Sequence, residues 1–131
     1  MNRKLRVGDR EVYWFVAIWG LVDLCLQIYF RDEGVGVLNT GFSFGLGSGR
    51  GESLIFLVML LLIFGWRFYF KEMSYGLFAV LVGGSVNFLM RVGAGGVWDY
   101  LCWSWLPFKN NLSDILITLG VILLIWQEVK K

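Results

Sequence analysis

Two aspartates in the second half of the sequence are the residues best suited to chemistry. Asp99 stands in GGVWDY and Asp114 in NNLSDILITLG, and both lie beside apolar sequence of the kind that crosses membranes. A carboxylate is costly to keep at that depth, so an ionisable residue there indicates a functional site. The chemistry to consider first is acid–base catalysis by a pair of carboxyl groups.

Folding the surrounding segments as a hairpin would bring Asp99 and Asp114 together. Two carboxylates a few ångströms apart cannot both ionise, and a pair that shares one proton can activate water with one member while the other protonates a leaving amine. The chain contains no histidine, and so lacks the usual general base and the commonest metal ligand. A simpler interpretation is that Asp114 caps a helix and Asp99 is a solvated loop residue. Spacing alone leaves both interpretations open.

Five further polar residues are candidates for the same site: Asn39, Asn87, Asn111, Arg91 and Asp23. The asparagines and the arginine can donate hydrogen bonds to the carbonyl groups of an extended peptide. Taken singly, asparagine is common in turns and at helix ends, and an arginine near a membrane surface can reach for headgroups. The aspartate lies inside an apolar segment, where it needs a partner from the bundle or a position near the surface.

The composition is that of a membrane protein. The 131 residues are 57% hydrophobic and 18% aromatic, with a mean hydropathy of +0.65 and one proline. This length suits one domain, and no linker divides residues 1–131. The net charge of +2 argues against a nucleic-acid partner. Cys25 and Cys102 lack the spacing of metal ligands, so we expect them to be structural, and we expect neither a metal nor a cofactor.

Four apolar segments predict membrane helices, at residues 12–30, 53–70, 75–90 and 112–126. The last two are short for a full crossing, so we expect their polar ends to lie in the headgroup region. The first has a longer apolar run than a signal peptide and no evident cleavage site, so a retained helix is expected. The connection at 31–52 contains NTGFSFGLGSGRG, which is too rich in glycine for a helix and predicts a short β segment on the membrane surface. The predicted fold class is a membrane all-α protein with four transmembrane helices and a small β element.

The basic residues between the segments predict the orientation. One side holds Arg3, Lys4, Arg6, Arg10, Lys71, Lys130 and Lys131. The other side holds Arg31, Arg50, Arg91 and Lys109, diluted by Asp32, Glu33, Glu52 and Asp99. The positive-inside rule then places both termini in the cytoplasm and the two candidate catalytic aspartates at the outer face.

Five motifs, taken in order, resemble the lipoprotein signal peptidases, the signal peptidase II family of bacteria. They are Asp23 in VDLCLQ, NTGFSFG from Asn39, GGSVNFLMR from Gly83, GGVWDY ending at Tyr100, and NLSDILITLG from Asn111. The resemblance covers nearly the whole chain. Each motif is weak alone, but their order on a four-helix membrane protein makes the match specific.

The resemblance implies an aspartic peptidase that removes the signal peptide from diacylglyceryl-modified prolipoproteins, just before the lipid-bearing cysteine. The family's catalytic aspartates, in its GxVxDF-like and NxAD-like motifs, correspond to Asp99 and Asp114. By the same match the groove would be lined by Asn39, Asn87, Arg91 and Asn111, the 31–52 connection would form an extracytoplasmic β element that cradles the substrate, and Asp23 would give structural support. The expected partners are lipidated prolipoproteins and membrane lipids. We expect a monomer in the bacterial inner membrane, with its active site at the outer face.

Three positions depart from the pattern of the family that the chain resembles. Met90 stands where aspartate is common, Gln27 where lysine is common, and Ser113 where alanine is usual. None belongs to the catalytic pair, so we expect the chemistry to survive. Without a nearby lysine, Asp23 is expected to act by hydrogen bonding rather than in an ion pair.

Two other functions are considered. A catalytically inactive relative would bind lipoprotein precursors or lipids without cleaving them. A small transporter or channel subunit would use Asp23, Asp99 and Asp114 as a proton path, but such a path needs carboxylates spread through the membrane depth, whereas these lie toward one face.

Overall fold

The computed structural model describes residues 7–41, 57–59, 61–62, 64–65, 74–105 and 107–130. Three long helices and two short strands lie in this part of the chain: α1 (Val7–Asp32), β1 (Val37–Asn39), α2 (Tyr75–Ala94), β2 (Val97–Asp99) and α3 (Leu112–Val129). The described residues between 57 and 65 are also helical. Most of the predicted 53–70 segment lies outside the described residues.

Each of the three helices is long and apolar enough to cross a membrane, with mean hydropathies of 1.6, 1.6 and 1.8. They confirm three of the four predicted segments, but all three helices extend beyond the predicted ends. α2 includes Arg91 and continues to Ala94, beyond the end of the apolar run at Met90. A left-handed Gly95, with φ of 74°, then ends the helix and turns the chain into β2.

Helix α1 buries one narrow stripe, formed by Val16, Gly20, Asp23 and Gln27. This spacing of three and four residues places all four on one face. Its other faces carry exposed apolar side chains such as Trp14 and Leu21, of which 65% and 64% of the surface is accessible. A soluble helix would show the opposite arrangement, so the apolar faces are suited to lipid.

Helices α2 and α3 pack closely because glycines face each other across their interface. A Cβ atom added to Gly76 would lie 2.6 Å from the carbonyl oxygen of Gly120, and one added to Gly120 would lie 2.7 Å from that of Gly76. About two turns further along α2, a Cβ on Gly83 would lie 2.7 Å from the carbonyl oxygen of Ser113. Small residues at these positions let the two backbones approach as membrane helices commonly do. Ser113 and the first turn of α3 are thereby held against α2.

The two strands form an antiparallel pair in which Val37 faces Asp99, Leu38 faces Trp98 and Asn39 faces Val97. The predicted β segment in the 31–52 connection is therefore present at β1, and residues 42–52 of that prediction lie outside the described residues. Its partner comes from the connection between α2 and α3. A further bridge between Leu101 and Asn110 closes the loop after β2 and delivers the chain to the start of α3.

Candidate active site

Asp99, the last residue of β2, is buried, with 3% of its surface exposed. Asn111 donates from Nδ2 to its Oδ1 at 3.0 Å, and Asn39 donates from Nδ2 to its Oδ2 at 3.1 Å. The pairing of β1 with β2 places the asparagine of β1 at this carboxyl group. Asp99 is therefore a supported strand residue and not the solvated loop residue of the simpler interpretation.

Asp114 lies in the first turn of α3 and takes part in a capping box. Its backbone N–H donates to Oδ1 of Asn111 at 2.9 Å, and its Oδ2 accepts from the backbone N–H of Asn111 at 3.3 Å. Its Oδ1 accepts from Nδ2 of Asn87 in α2 at 2.9 Å. The capping interpretation of Asp114 is thus correct, and the same carboxyl group also reaches toward the neighbouring helix.

Asn111 joins the two aspartates. Its Nδ2 donates to Asp99 and its Oδ1 accepts from the backbone of Asp114, so one fully buried side chain contacts both residues. A capping residue that also donates to a second carboxylate fixes the start of α3 relative to the end of β2. The structure brings the two predicted catalytic residues to the same place through this side chain.

The environment of Asp99 changes the acidity of its carboxyl group. Burial raises the pKa of its carboxyl group, and this effect exceeds the opposing effects of the hydrogen bonds from Asn39 and Asn111 and of the positive charge of Arg91. The negative charge of Asp23 adds a smaller upward contribution to the pKa. A raised pKa makes a carboxylate a stronger base, as acid–base catalysis requires.

A cavity of about 930 Å³ lies beside the two carboxyl groups. The polar part of its wall includes Asn39, Asn87, Arg91, Asp99 and Asp114, and apolar residues such as Val37, Leu38, Met59, Leu62 and Ile117 form much of the remainder. Three of the four residues predicted to line a substrate groove are therefore in its wall. The fourth, Asn111, has no exposed surface and lies behind it.

Asp23 is fully buried in α1 and does not border the cavity. Its Oδ1 accepts from the hydroxyl of Tyr100 at 2.5 Å and from the backbone N–H of Leu112 at 3.0 Å. Its Oδ2 accepts from the backbone N–H and the hydroxyl of Ser113, at 3.1 and 2.5 Å, and from Nε2 of Gln27 at 2.8 Å. These neutral donors agree with the expectation that Asp23 acts by hydrogen bonding. It supports the start of α3 from a different helix.

Sequence reasoning missed the contributions of Gln27, Ser113 and Tyr100. Gln27 and Ser113, which stand out in the sequence only as departures from the family pattern, both contact Asp23. The first contact had a visible signal, since residues four apart on a helix share a face. The contact of Tyr100 had no such signal, because its partner Asp23 lies far away in the sequence. Burial, followed by the hydrogen bond to Asp23, raises the pKa of its hydroxyl group, which therefore stays a donor.

Comparisons with known proteins agree with this arrangement. The sequence model of the family described as Signal peptidase (SPase) II matches residues 33–130. The lipoprotein signal peptidase of Anaplasma phagocytophilum is 33% identical over 105 residues, which cover 71% of this chain and 66% of that protein. The lipoprotein signal peptidase of Halothermothrix orenii is 32% identical over 102 residues, covering 72% of this chain and 70% of that protein. The chain thus spans about two thirds of the length of these relatives.

Solved structures show the same fold. A bacterial membrane enzyme solved at 2.3 Å resolution superposes with a TM-score of 0.71 at 24% identity, covering 99% of this chain and 93% of the other. A second one, solved at 1.9 Å, superposes with a TM-score of 0.63 at 22% identity, covering 100% of this chain and 99% of the other.

Apolar helices that enclose a polar site define the class of this molecule as a multi-pass membrane protein. The carboxyl groups, their asparagine donors and the cavity beside them form its candidate active site. The extent of the family match then makes the assignment specific. This chain belongs to the signal peptidase II family, that of the lipoprotein signal peptidases.

Proposed function

We propose that this protein is an aspartic endopeptidase that cleaves the signal peptide from diacylglyceryl-modified prolipoproteins, before the lipid-bearing cysteine. The single observation that carries the proposal is the junction at Asn111, which contacts both Asp99 and Asp114 beside a cavity. Membership of the signal peptidase II family supports the same reaction.

In the proposed mechanism the two aspartates hold one proton between them. The ionised carboxylate takes a proton from water, whose oxygen attacks the scissile carbonyl carbon. The protonated carboxyl group gives its proton to the amine as the peptide bond breaks. Unequal environments favour such a division. In this proposal Asp99 is the ionised member, because the amide donors of Asn39 and Asn111 and the positive charge of Arg91 favour its carboxylate.

The substrate lies along the cavity in this proposal. Arg91, which is 7% exposed in its wall, and the amide groups of Asn39 and Asn87 orient the peptide near the carboxyl pair. The apolar part of the wall suits the apolar segment of a signal peptide and the acyl chains of a lipidated cysteine. Asn111 acts from behind the wall by positioning both aspartates.

The arrangement in the cell completes the proposal. Residues 1–131 form one domain with four membrane spans, and both termini lie in the cytoplasm. The protein is a monomer in the bacterial inner membrane and works at the outer face, where exported precursors and membrane lipids are its partners. The positive-inside rule supports this orientation.

The test compares Asp99→Asn and Asp114→Asn in purified form, with a lipidated prolipoprotein as substrate and a gel shift as the measurement. Asparagine keeps the shape but cannot accept the proton, so each variant should lose all detectable cleavage while remaining folded and inserted. The double variant should be little worse than either single one, because residues that act as a unit are strongly non-additive.

A chelator in the assay should leave cleavage by the wild-type protein unchanged, as expected for a reaction without a metal. Substantial turnover by Asp99→Asn, or no cleavage by the wild-type protein, would contradict the proposal. A chain that binds prolipoprotein without cleaving it would then be the inactive relative.

A further inference from the structure

Gln27 in α1 is fully buried, and both ends of its side-chain amide are engaged. Its Nε2 donates to Oδ2 of Asp23 at 2.8 Å and to Oδ1 of Asn87 at 3.4 Å. Its Oε1 accepts from the backbone N–H of Trp98 at 3.1 Å. The backbone N–H of Trp98 can only donate, and the Asp23 carboxylate accepts from every partner described. These two neighbours together fix which end of the Gln27 amide is nitrogen.

The fixed amide of Gln27 sets the orientation of Asn87. A donor at Nε2 of Gln27 requires an acceptor opposite, so Oδ1 of Asn87 faces α1 and its Nδ2 faces Asp114, at 2.9 Å. The reverse orientation would place two N–H groups against each other and an amide oxygen against a carboxyl oxygen. Both contacts are unfavourable in a buried site.

We propose that Gln27 is a positioning residue for catalysis, which acts through Asn87 to hold the Asp114 carboxyl group in its working orientation. With respect to catalysis the inference rests on the proposed function. Gln27 also ties this orientation to two fixed points, the Asp23 carboxylate that supports α3 and the backbone of β2, which leads to Asp99. One side chain of α1 thereby links the two elements that carry the catalytic aspartates.

A double-mutant cycle of Gln27→Met and Asn87→Ala tests this route. Methionine keeps the length of the side chain without its hydrogen bonds. Gln27→Met should lower kcat about tenfold, the scale of one lost buried hydrogen bond, with little change in KM. In the Asn87→Ala background the same change should lower kcat no further, because the residue through which Gln27 acts is already gone. Equal fold-losses in the two backgrounds would overturn the proposal.

Two variants separate positioning from general support. Gln27→Lys retains a donor for Asp23 and Asn87, and should recover most of the kcat lost in Gln27→Met. Ser113→Ala removes another donor to the Asp23 carboxylate without touching Asn87, so it should lower the unfolding temperature with a smaller loss of kcat. A loss of kcat that follows the unfolding temperature across all three variants would assign Gln27 a merely structural role.

A second cycle does not depend on activity. Gln27 and Asp114 have no hydrogen bond with each other among those described, and Asn87 lies between them. Thermal unfolding of Gln27→Met, Asp114→Ala and the double variant should therefore show coupling, which Asn87→Ala should abolish. Additive changes in unfolding temperature would contradict the proposal. If the wild-type protein cleaved no prolipoprotein, the proposed function would fail and this cycle would still decide whether Gln27 positions Asp114.

Discussion

Asn111 combines two roles that are usually separate. As the N-cap of α3 it accepts a hydrogen bond from the backbone of Asp114, and as a side-chain donor it supports Asp99. The amide of asparagine carries its acceptor and its donor on two separate atoms, which can face two partners at once. Aspartate has no donor, and serine or threonine must use one oxygen atom for both, which explains asparagine in preference to the other good capping residues. A helix cap is thus part of the candidate active site.

Substitutions at Asn111 should separate these roles. Serine is also a good cap but is too short to replace the amide donor to Asp99, whereas alanine removes both interactions. We expect Asn111→Ala to cost about 1 kcal/mol of stability through the lost cap, and Asn111→Ser to cost less. Both should lose cleavage activity to a similar extent. Thermal unfolding in micelles and kcat for a lipidated precursor measure the two effects, and full activity in Asn111→Ser would refute the role at Asp99.

Asn39 should influence how the rate of cleavage depends on pH. Its hydrogen bond favours the ionised form of Asp99 and partly offsets the upward effect of burial on the pKa of that carboxyl group. Asn39→Ala removes the donor, so the pKa of Asp99 rises further and protonation begins at higher pH. A reaction that needs one ionised carboxylate should then lose activity earlier on acidification. The acidic limb of kcat/KM against pH should move to higher pH.

A second substitution at this position serves as a graded control. Asn39→Asp places a negative charge beside Asp99, which opposes ionisation more strongly than loss of a donor. The acidic limb should move in the same direction and further than in Asn39→Ala. An unchanged acidic limb in both variants would mean that Asp99 is not the group whose ionisation limits the reaction.

At the scale of elements, the helices were predictable and their mutual contacts were not. Long apolar runs predicted α1, α2 and α3, and the four-residue spacing of Asp23 and Gln27 was an available signal, missed by sequence reasoning, that they share a face. Their partners lie 60 to 90 residues away along the chain, at Asn87 and Ser113, and no local pattern identifies such pairs. The β element was predicted in the 31–52 connection alone, because strand pairing with β2 depends on where α2 ends.

Gly83 is the element-scale test of the α2–α3 contact. A Cβ at this position meets the backbone of Ser113, next to Asp114, whereas a Cβ at Gly93 meets nothing within 4 Å. Gly83→Ala should push the first turn of α3 away from α2 and lengthen the Asn87–Asp114 hydrogen bond. We expect a loss of both activity and unfolding temperature.

Gly93→Ala is the matched control, made in the same helix with the same added methyl group. It should be neutral or slightly stabilising, since alanine favours helix over glycine by about 1 kcal/mol. The two variants are compared by thermal unfolding and by cleavage of the same precursor. Equal behaviour would show that close helix packing does not position the aspartates.

At the scale of the whole molecule, the described parts have polar side chains inside and apolar side chains on the outer surface. Its buried polar side chains are Asp23, Gln27, Asn87, Arg91, Asp99, Asn111 and Ser113, while exposed apolar side chains cover the outer faces of the helices. Composition and hydropathy were enough to predict this class of fold. They could not show that Asn111 connects the aspartates, because that contact depends on the packing of β2 against the start of α3.

Orientation in the membrane is the whole-molecule prediction, and native Cys102 can report it. This exposed residue lies in the loop after β2, where its Sγ donates to the carbonyl oxygen of Asp99 at 3.6 Å. With Cys25→Ala as background, an impermeant maleimide should label Cys102 in intact spheroplasts. In a Cys25→Ala Cys102→Ser protein, Lys130→Cys should be labelled only after permeabilisation, because basic flanking residues are retained in the cytoplasm. The reverse result would place the carboxyl pair on the cytoplasmic side, away from exported precursors, and would refute the proposed site of action even if the purified protein cleaves.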